Sequence, residues 1–134
     1  MVETEAARVE ADAAMLALLD KENELITFPD AYNLPRERCQ VTDRTGNGVA
    51  GDVIAKCRSR IDNDYAESEL SRSEFVEAGI TAVASVPLMI AGTCVGAIGV
   101  MNKGVGREFT QDHIDTLAIV SSTPAEAVGK GAHS

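Results

Sequence analysis

Tryptophan is absent, and two Tyr and three Phe are the only aromatics. That excludes an aromatic cage or a base-stacking platform for single-stranded nucleic acid. Basic residues are scarce. Twelve Lys and Arg stand against 21 Asp and Glu, for a net charge of −9, and they form no run. A phosphate backbone or an anionic lipid surface calls for a basic face, so neither nucleic acid nor membrane is expected as a partner. No apolar run reaches bilayer length, because Pro87, Thr93 and several glycines cut the longest. The opening MVETEAARVE is acidic and polar, unlike a secretory signal. Three cysteines, Cys39, Cys57 and Cys94, are an odd number without paired spacing. That fits a reducing, cytoplasmic setting rather than a disulfide framework. His113 and His133 are the only histidines, and no Ser-His-Asp or metal-ligand spacing appears. No metal site and no catalytic residue is expected, and no cofactor is identified.

What is present suits one domain over residues 1–134, with 45% apolar residues to build its core. Its centre is Ile80 to Lys103, ITAVASVPLMIAGTCVGAIGVMNK. Two β-rich apolar runs flank a turn at Ala91-Gly92, which predicts a β-hairpin. Both runs are apolar at nearly every position, so both sheet faces must be covered. By alternation Ala82, Ala84, Val86, Leu88 and Ile90 share one face, the continuously apolar one that should meet helices. Val83, Ser85, Pro87 and Met89 share the other.

A second hairpin is expected from Ala11–Leu19 and Leu25–Phe28, after a short helix whose end is residues 1–10. Pro29 to Arg38 reads as loop, and Gln40 to Thr45 as weakly extended. GNGVAG opens a helix to about Cys57, with Val49, Val53 and Cys57 on one stripe. RIDND reads as a short strand. Ser73 is expected to cap a short helix carrying Phe75 and Val76, ended by Gly79. Thr110 is the expected N-cap of the closing helix, with Phe109 and Ile114 as a hydrophobic staple. Pro124 should break or kink that helix, and 129–134 should fray.

The ordered set ADAAMLALLDKENEL, GNGVAG, RIDNDY, FVEAGITAVASVPL, GTCVGAIGVMNK and REFTQDHIDTLAIV resembles a GAF domain along nearly the whole chain. The resemblance implies an α+β, PAS-related fold. A central antiparallel sheet carries the terminal helices on one face and a ligand pocket, roofed by short helices and loops, on the other. It implies a sensory or regulatory module of a signal-transduction protein, without catalysis, whose terminal helices pass the signal and make homodimer contacts. The ligand, of unknown identity, would lie between Ser85 and a roof of Asp62, Asp64, Tyr65, Phe75 and Val76. Thr45 and Gly48, at the Gly-rich helix start, would complete the site with free amides that hold an anion.

Each motif also has a plainer reading. GNGVAG matches G-x-G-x-x-G, but a polar stretch precedes it and Asp62 and Asp64 come too early for a dinucleotide site. Asp62 and Asp64 also fit a solvated acidic loop, and two carboxylates make a poor metal site. Asn102-Lys103 followed by Phe109 is similar to the motif of cyclic-nucleotide-binding members. Its acidic ending is replaced by His113-Ile114, and Asp112 or Asp115 could pair with Lys103 instead. Cys57 and Cys94 read as small buried hydrophobes, and His113 as a surface residue of the first turn. Two other functions stand beside the sensor. One is a redox enzyme of the free methionine sulfoxide reductase kind acting through Cys39. The other is a degenerate module that only dimerises.

Overall fold

The computed structural model describes residues 2–20, 22, 24–34, 43–44 and 48–121. In chain order the elements are α1 (Val2–Arg8), β1 (Ala13–Asp20), β2 (Leu25–Tyr32), β3 (Asp43–Arg44) and α2 (Gly48–Lys56). They continue with β4 (Arg60–Asp62), a 3-10 turn (Tyr65–Glu67), α3 (Ser73–Glu77), β5 (Ile80–Ile90), β6 (Thr93–Lys103) and α4 (Gln111–Ser121). The strands form one antiparallel sheet in the order β3-β2-β1-β6-β5-β4. The class is α+β, and the central hairpin is β5–β6, as its sequence predicts.

The hairpin turn places both Ala91 (φ +50°) and Gly92 (φ +80°) in the left-handed region. Two such residues in a two-residue loop match the right-handed twist of the strands. Alternation along β5 also holds. Ala82, Ala84, Val86 and Leu88 pack in one cluster with Val2 and Ala6 of α1 and Ile114 and Leu117 of α4. Val83 packs on the opposite face with Tyr65 and Phe75. Large branched residues (Leu16, Val86, Ile98, Val100) therefore fill the helix side, whereas Ala17, Ser85, Ala97 and Gly99 leave the other side shallow.

Three bulges correct what simple alternation predicts. Leu16 pairs with Asp30 and Leu18 with Thr27, so Phe28 and Pro29 together oppose Ala17. Pro29 thus sits in a bulge, where its missing N–H breaks no ladder bond. That is why β2 runs on to Tyr32 instead of giving way to loop at Pro29. Thr81 is the extra residue between the Ile80–Lys103 and Ala82–Asn102 pairs, and Ile80 joins the Tyr65–Phe75 cluster. Val95 is the extra residue between the Leu88–Gly96 and Met89–Cys94 pairs, and it turns Cys94 toward the α2 side.

Two further local expectations change. Ser73 is the first residue of α3 rather than its cap; Arg72 precedes it, with no side-chain capping bond. Cys57 is exposed rather than buried, because it occupies the left-handed position (φ +53°) that ends α2 and leaves its apolar stripe. The start of α4 follows the sequence closely. Phe109 and Ile114 are buried in the same cluster. His113, half-buried, accepts the Thr110 N–H on Nδ1 at 2.8 Å. It fills the reciprocal position that Glu or Gln occupies in a capping box. Its ring also meets Phe109 edge-on, with centroids 5.4 Å apart. Thr45, Gln40, Pro124 and the tail lie outside the described residues.

Candidate functional site

The shallow sheet face carries a cavity of about 40 Å³. Its floor comes from β1 (Met15, Ala17), β5 (Val83, Ser85) and β6 (Ala97, Gly99, Met101). Its roof comes from α2 (Val49, Ala50), the 3-10 turn (Tyr65), Arg72 and α3 (Phe75). Ser85 and Gly99 are paired across β5 and β6. Because Gly99 has no side chain, Ser85 lies open to the cavity while its hydroxyl donates to the Ile98 carbonyl at 3.3 Å.

The lining is mostly apolar, with three side chains that carry polar chemistry: Ser85, Tyr65 and Arg72. The Tyr65 hydroxyl accepts the Arg72 backbone N–H at 2.9 Å. Burial raises its pKa above the ordinary phenol value, so at neutral pH it keeps its proton and can donate it in a hydrogen bond. The Arg72 guanidinium lies against the start of α2, where a Cβ at Gly48 would approach Nε to 2.9 Å. Gly48, at φ +68°, therefore admits the guanidinium as well as the turn.

Of the residues expected at the site, Tyr65, Phe75 and Ser85 line the cavity. Gly48 borders it through its contact with Arg72, and Thr45 lies outside the described residues. Val76 is 37% exposed and faces away. Asp62 accepts from Arg60 Nε at 2.8 Å and from Ser68 Oγ at 3.3 Å. It holds the roof together rather than facing the cavity. Arg60 also reaches Asp52 at 3.3 Å, tying α2 to β4. Asp64 is exposed and borders a separate recess of about 290 Å³ with Thr81, Gly104 and Arg107. So Asp62 and Asp64 do not share one environment.

Arg72 and the methionines Met15 and Met101 were not singled out in the sequence. Arg72 sits in the polar stretch YAESELSRSEF, where nothing marks it off from its neighbours. Asn102 is buried and structural: it accepts the Asp12 N–H at 3.1 Å and donates to the Arg107 carbonyl at 3.0 Å. Asp115 accepts from Gln111 at 3.0 Å. The Lys103 N–H instead donates to Asp12 at 2.8 Å, and that bond, with Arg107, lowers the Asp12 pKa. Cys57 and Cys94 lie away from the cavity lining, and Cys39 lies outside the described residues.

Sheet and cavity together define an antiparallel α+β domain with helices on one face and a roofed hollow on the other. The chain belongs to the GAF domain family, whose model matches residues 4–128. Solved structures agree on the fold. The GAF domain of an Acinetobacter phosphoenolpyruvate-protein phosphotransferase superposes with a TM-score of 0.82 at 20% identity, covering 99% of this chain and 79% of that one. The second GAF domain of DevS from Mycobacterium smegmatis gives 0.74 at 16%, covering 98% and 91%. A free methionine-R-sulfoxide reductase from Neisseria meningitidis, solved with its substrate, gives 0.75 at 16%, covering 90% and 68%. No curated protein matches the chain. Domains of this family generally serve as small-molecule-binding regulatory modules. Among the described residues, no helix is long and apolar enough to cross a membrane.

Proposed function

We propose that the chain is a cytoplasmic sensory module that binds a small metabolite in the cavity over β1, β5 and β6. The terminal helices carry the response and the homodimer contacts. The reading rests on one arrangement: the cavity and the helices lie on opposite faces of the same strands, with Ser85 on one side and Ala84 and Val86 on the other. A change on the cavity face is then one strand thickness from α1 and α4.

The cavity of about 40 Å³ has space for a few water molecules, whereas small-molecule pockets run to roughly 300–1,000 Å³. Binding therefore moves the roof. The 3-10 turn and α3 are short elements whose ties to the sheet run through Tyr65 and Phe75, so they are the part that opens. Arg72 and the Tyr65 hydroxyl orient the ligand, and the methionines adapt to its apolar part.

Native mass spectrometry of the purified protein, followed by a thermal-shift screen of metabolites, tests this. Retained ligand mass, or a shift abolished by Arg72→Met, supports it. If no retained mass and no shift are found across the panel, the degenerate dimerising module takes its place.

A further inference from the structure

The roof and the floor of the cavity offer opposite polar chemistry, and the roof offers donors. The Tyr65 side chain is 3% exposed, and its oxygen accepts the Arg72 N–H at 2.9 Å. Its own proton meets no acceptor among the described residues. Burial raises the Tyr65 pKa, so that proton stays in place at neutral pH. A buried donor without an acceptor is costly, and a ligand acceptor relieves it. Arg72 brings a permanent positive charge to the same lining. The first turn of α2 enters the wall with Val49 and Ala50, which places the positive pole of that helix beside them.

At the floor, Ser85 commits its proton to the Ile98 carbonyl, so toward the cavity it can only accept. Met15, Val83, Ala97 and Met101 around it are apolar. Among the described residues, no carboxylate lines the cavity. Glu74 and Asp62, whose charges reach Tyr65, stand outside the lining. The net charge of −9 opposes an anion at long range, but salt screens it beyond about 8 Å, so the groups in the wall decide.

We propose that the ligand is a small aliphatic monocarboxylate without an ammonium group. The proposal rests on the sensory reading of the cavity and names its ligand class. The carboxylate lies at the roof, accepting from the Tyr65 hydroxyl and the Arg72 guanidinium, and the roof settles onto it. The chain points to the floor between Met15 and Met101, whose flexible side chains fit different branching. A neutral amide of the same shape loses the charge-assisted bond to Arg72. An amino acid of the same skeleton adds an ammonium that only the Ser85 oxygen could accept from, so it is rejected.

The test is calorimetric titration of the full chain with straight and branched aliphatic monocarboxylates, and with isocaproate, isocaproamide and leucine as a matched set. Isocaproate should bind about tenfold or more tightly than isocaproamide or leucine. Arg72→Met should remove the preference for the acid over the amide, and Tyr65→Phe should weaken the acid about tenfold. Circular dichroism matching the parent's shows that the variants fold, and Arg72→Lys, which keeps the charge, should keep the preference for the acid. Isocaproamide or leucine binding as tightly as isocaproate would overturn the proposal and leave the sensory reading standing. Silence across all the carboxylates would overturn it as well, and the sensory reading falls with it only if the wider metabolite screen is also silent.

Discussion

The side-chain amide of Asn63 pairs with both backbone groups of Phe109. Its Oδ1 accepts the Phe109 N–H at 2.7 Å, and its Nδ2 donates to the Phe109 carbonyl at 2.9 Å. Asn63 directly follows β4, beside the roof, and Phe109 is the staple residue at the start of α4. One side chain therefore links the cavity side of the domain to a terminal helix. Asn63→Ala leaves two backbone groups of Phe109 unpaired. It should cost roughly 1–2 kcal/mol in urea unfolding and speed amide exchange at residues 109–114. Unchanged exchange there would disconnect β4 from α4.

His113 and Thr110 offer a sharper test of the same helix end. Because Nδ1 accepts the Thr110 N–H, a residue that can accept from the third helical position should substitute. His113→Gln is expected to hold stability within about 0.5 kcal/mol, while His113→Ala loses roughly 1 kcal/mol. Equal losses in the two variants would mean that the Phe109 ring contact matters and the cap does not.

Glu5 should show an inverted pH effect. It is 4% exposed on α1, its Oε2 has no hydrogen-bond partner, and Arg8 Nε is 3.9 Å away. Burial raises its pKa, so the fold favours the protonated acid. The stability it contributes is present below the ordinary carboxylate pKa and is lost as pH rises through the raised value. Glu5→Met removes the buried charge. The variant should exceed the parent by about 1 kcal/mol at pH 7, a gap that closes toward pH 4. A gap independent of pH would assign the effect to packing.

Two glycines of β6 should respond in opposite ways. A Cβ at Gly96 would lie 2.1 Å from the Ala17 carbonyl oxygen, a clash that only backbone movement relieves. Gly96→Ala should cost about 3 kcal/mol or more. At Gly99 the nearest atom to an added Cβ is Ser85 Oγ at 3.8 Å, so alanine fits. Gly99→Ala should fold normally and reduce ligand uptake by narrowing the cavity over Ser85. A fold as unstable as that of Gly96→Ala would remove it as a probe of the site.

Much of this architecture can be read from the chain because it depends on local periodicity. The Ala91-Gly92 turn, the alternation that sends Val86 to the helices and Ser85 to the cavity, and the Phe109–Ile114 staple each involve residues a few positions apart. Ser85 is legible on the cavity side for the same reason, whereas Tyr65 and Phe75 are expected in the roof through the resemblance to the family. The unread parts depend on count and direction. Pro29 looks like a stop and is a bulge, and the extra residue Val95 is what turns Cys94 toward α2. Asp62 and Asp64 share parity, yet Arg60 takes the first and solvent the second.

The sequence by itself determined the sheet, its hairpins, the faces taken by Ala82 to Leu88 of β5 and the family, since these follow from side-chain size and alternation along one strand. Only the tertiary structure decided which side chains meet across elements. Arg72 reaches the cavity because Gly48 leaves room for it. Cys57 meets Met89 because the end of α2 crosses the β5–β6 hairpin. Asn63 meets Phe109 across 46 positions of chain. Such contacts depend on bulges, caps and crossings that shift direction by one residue, and no periodicity along the chain records them.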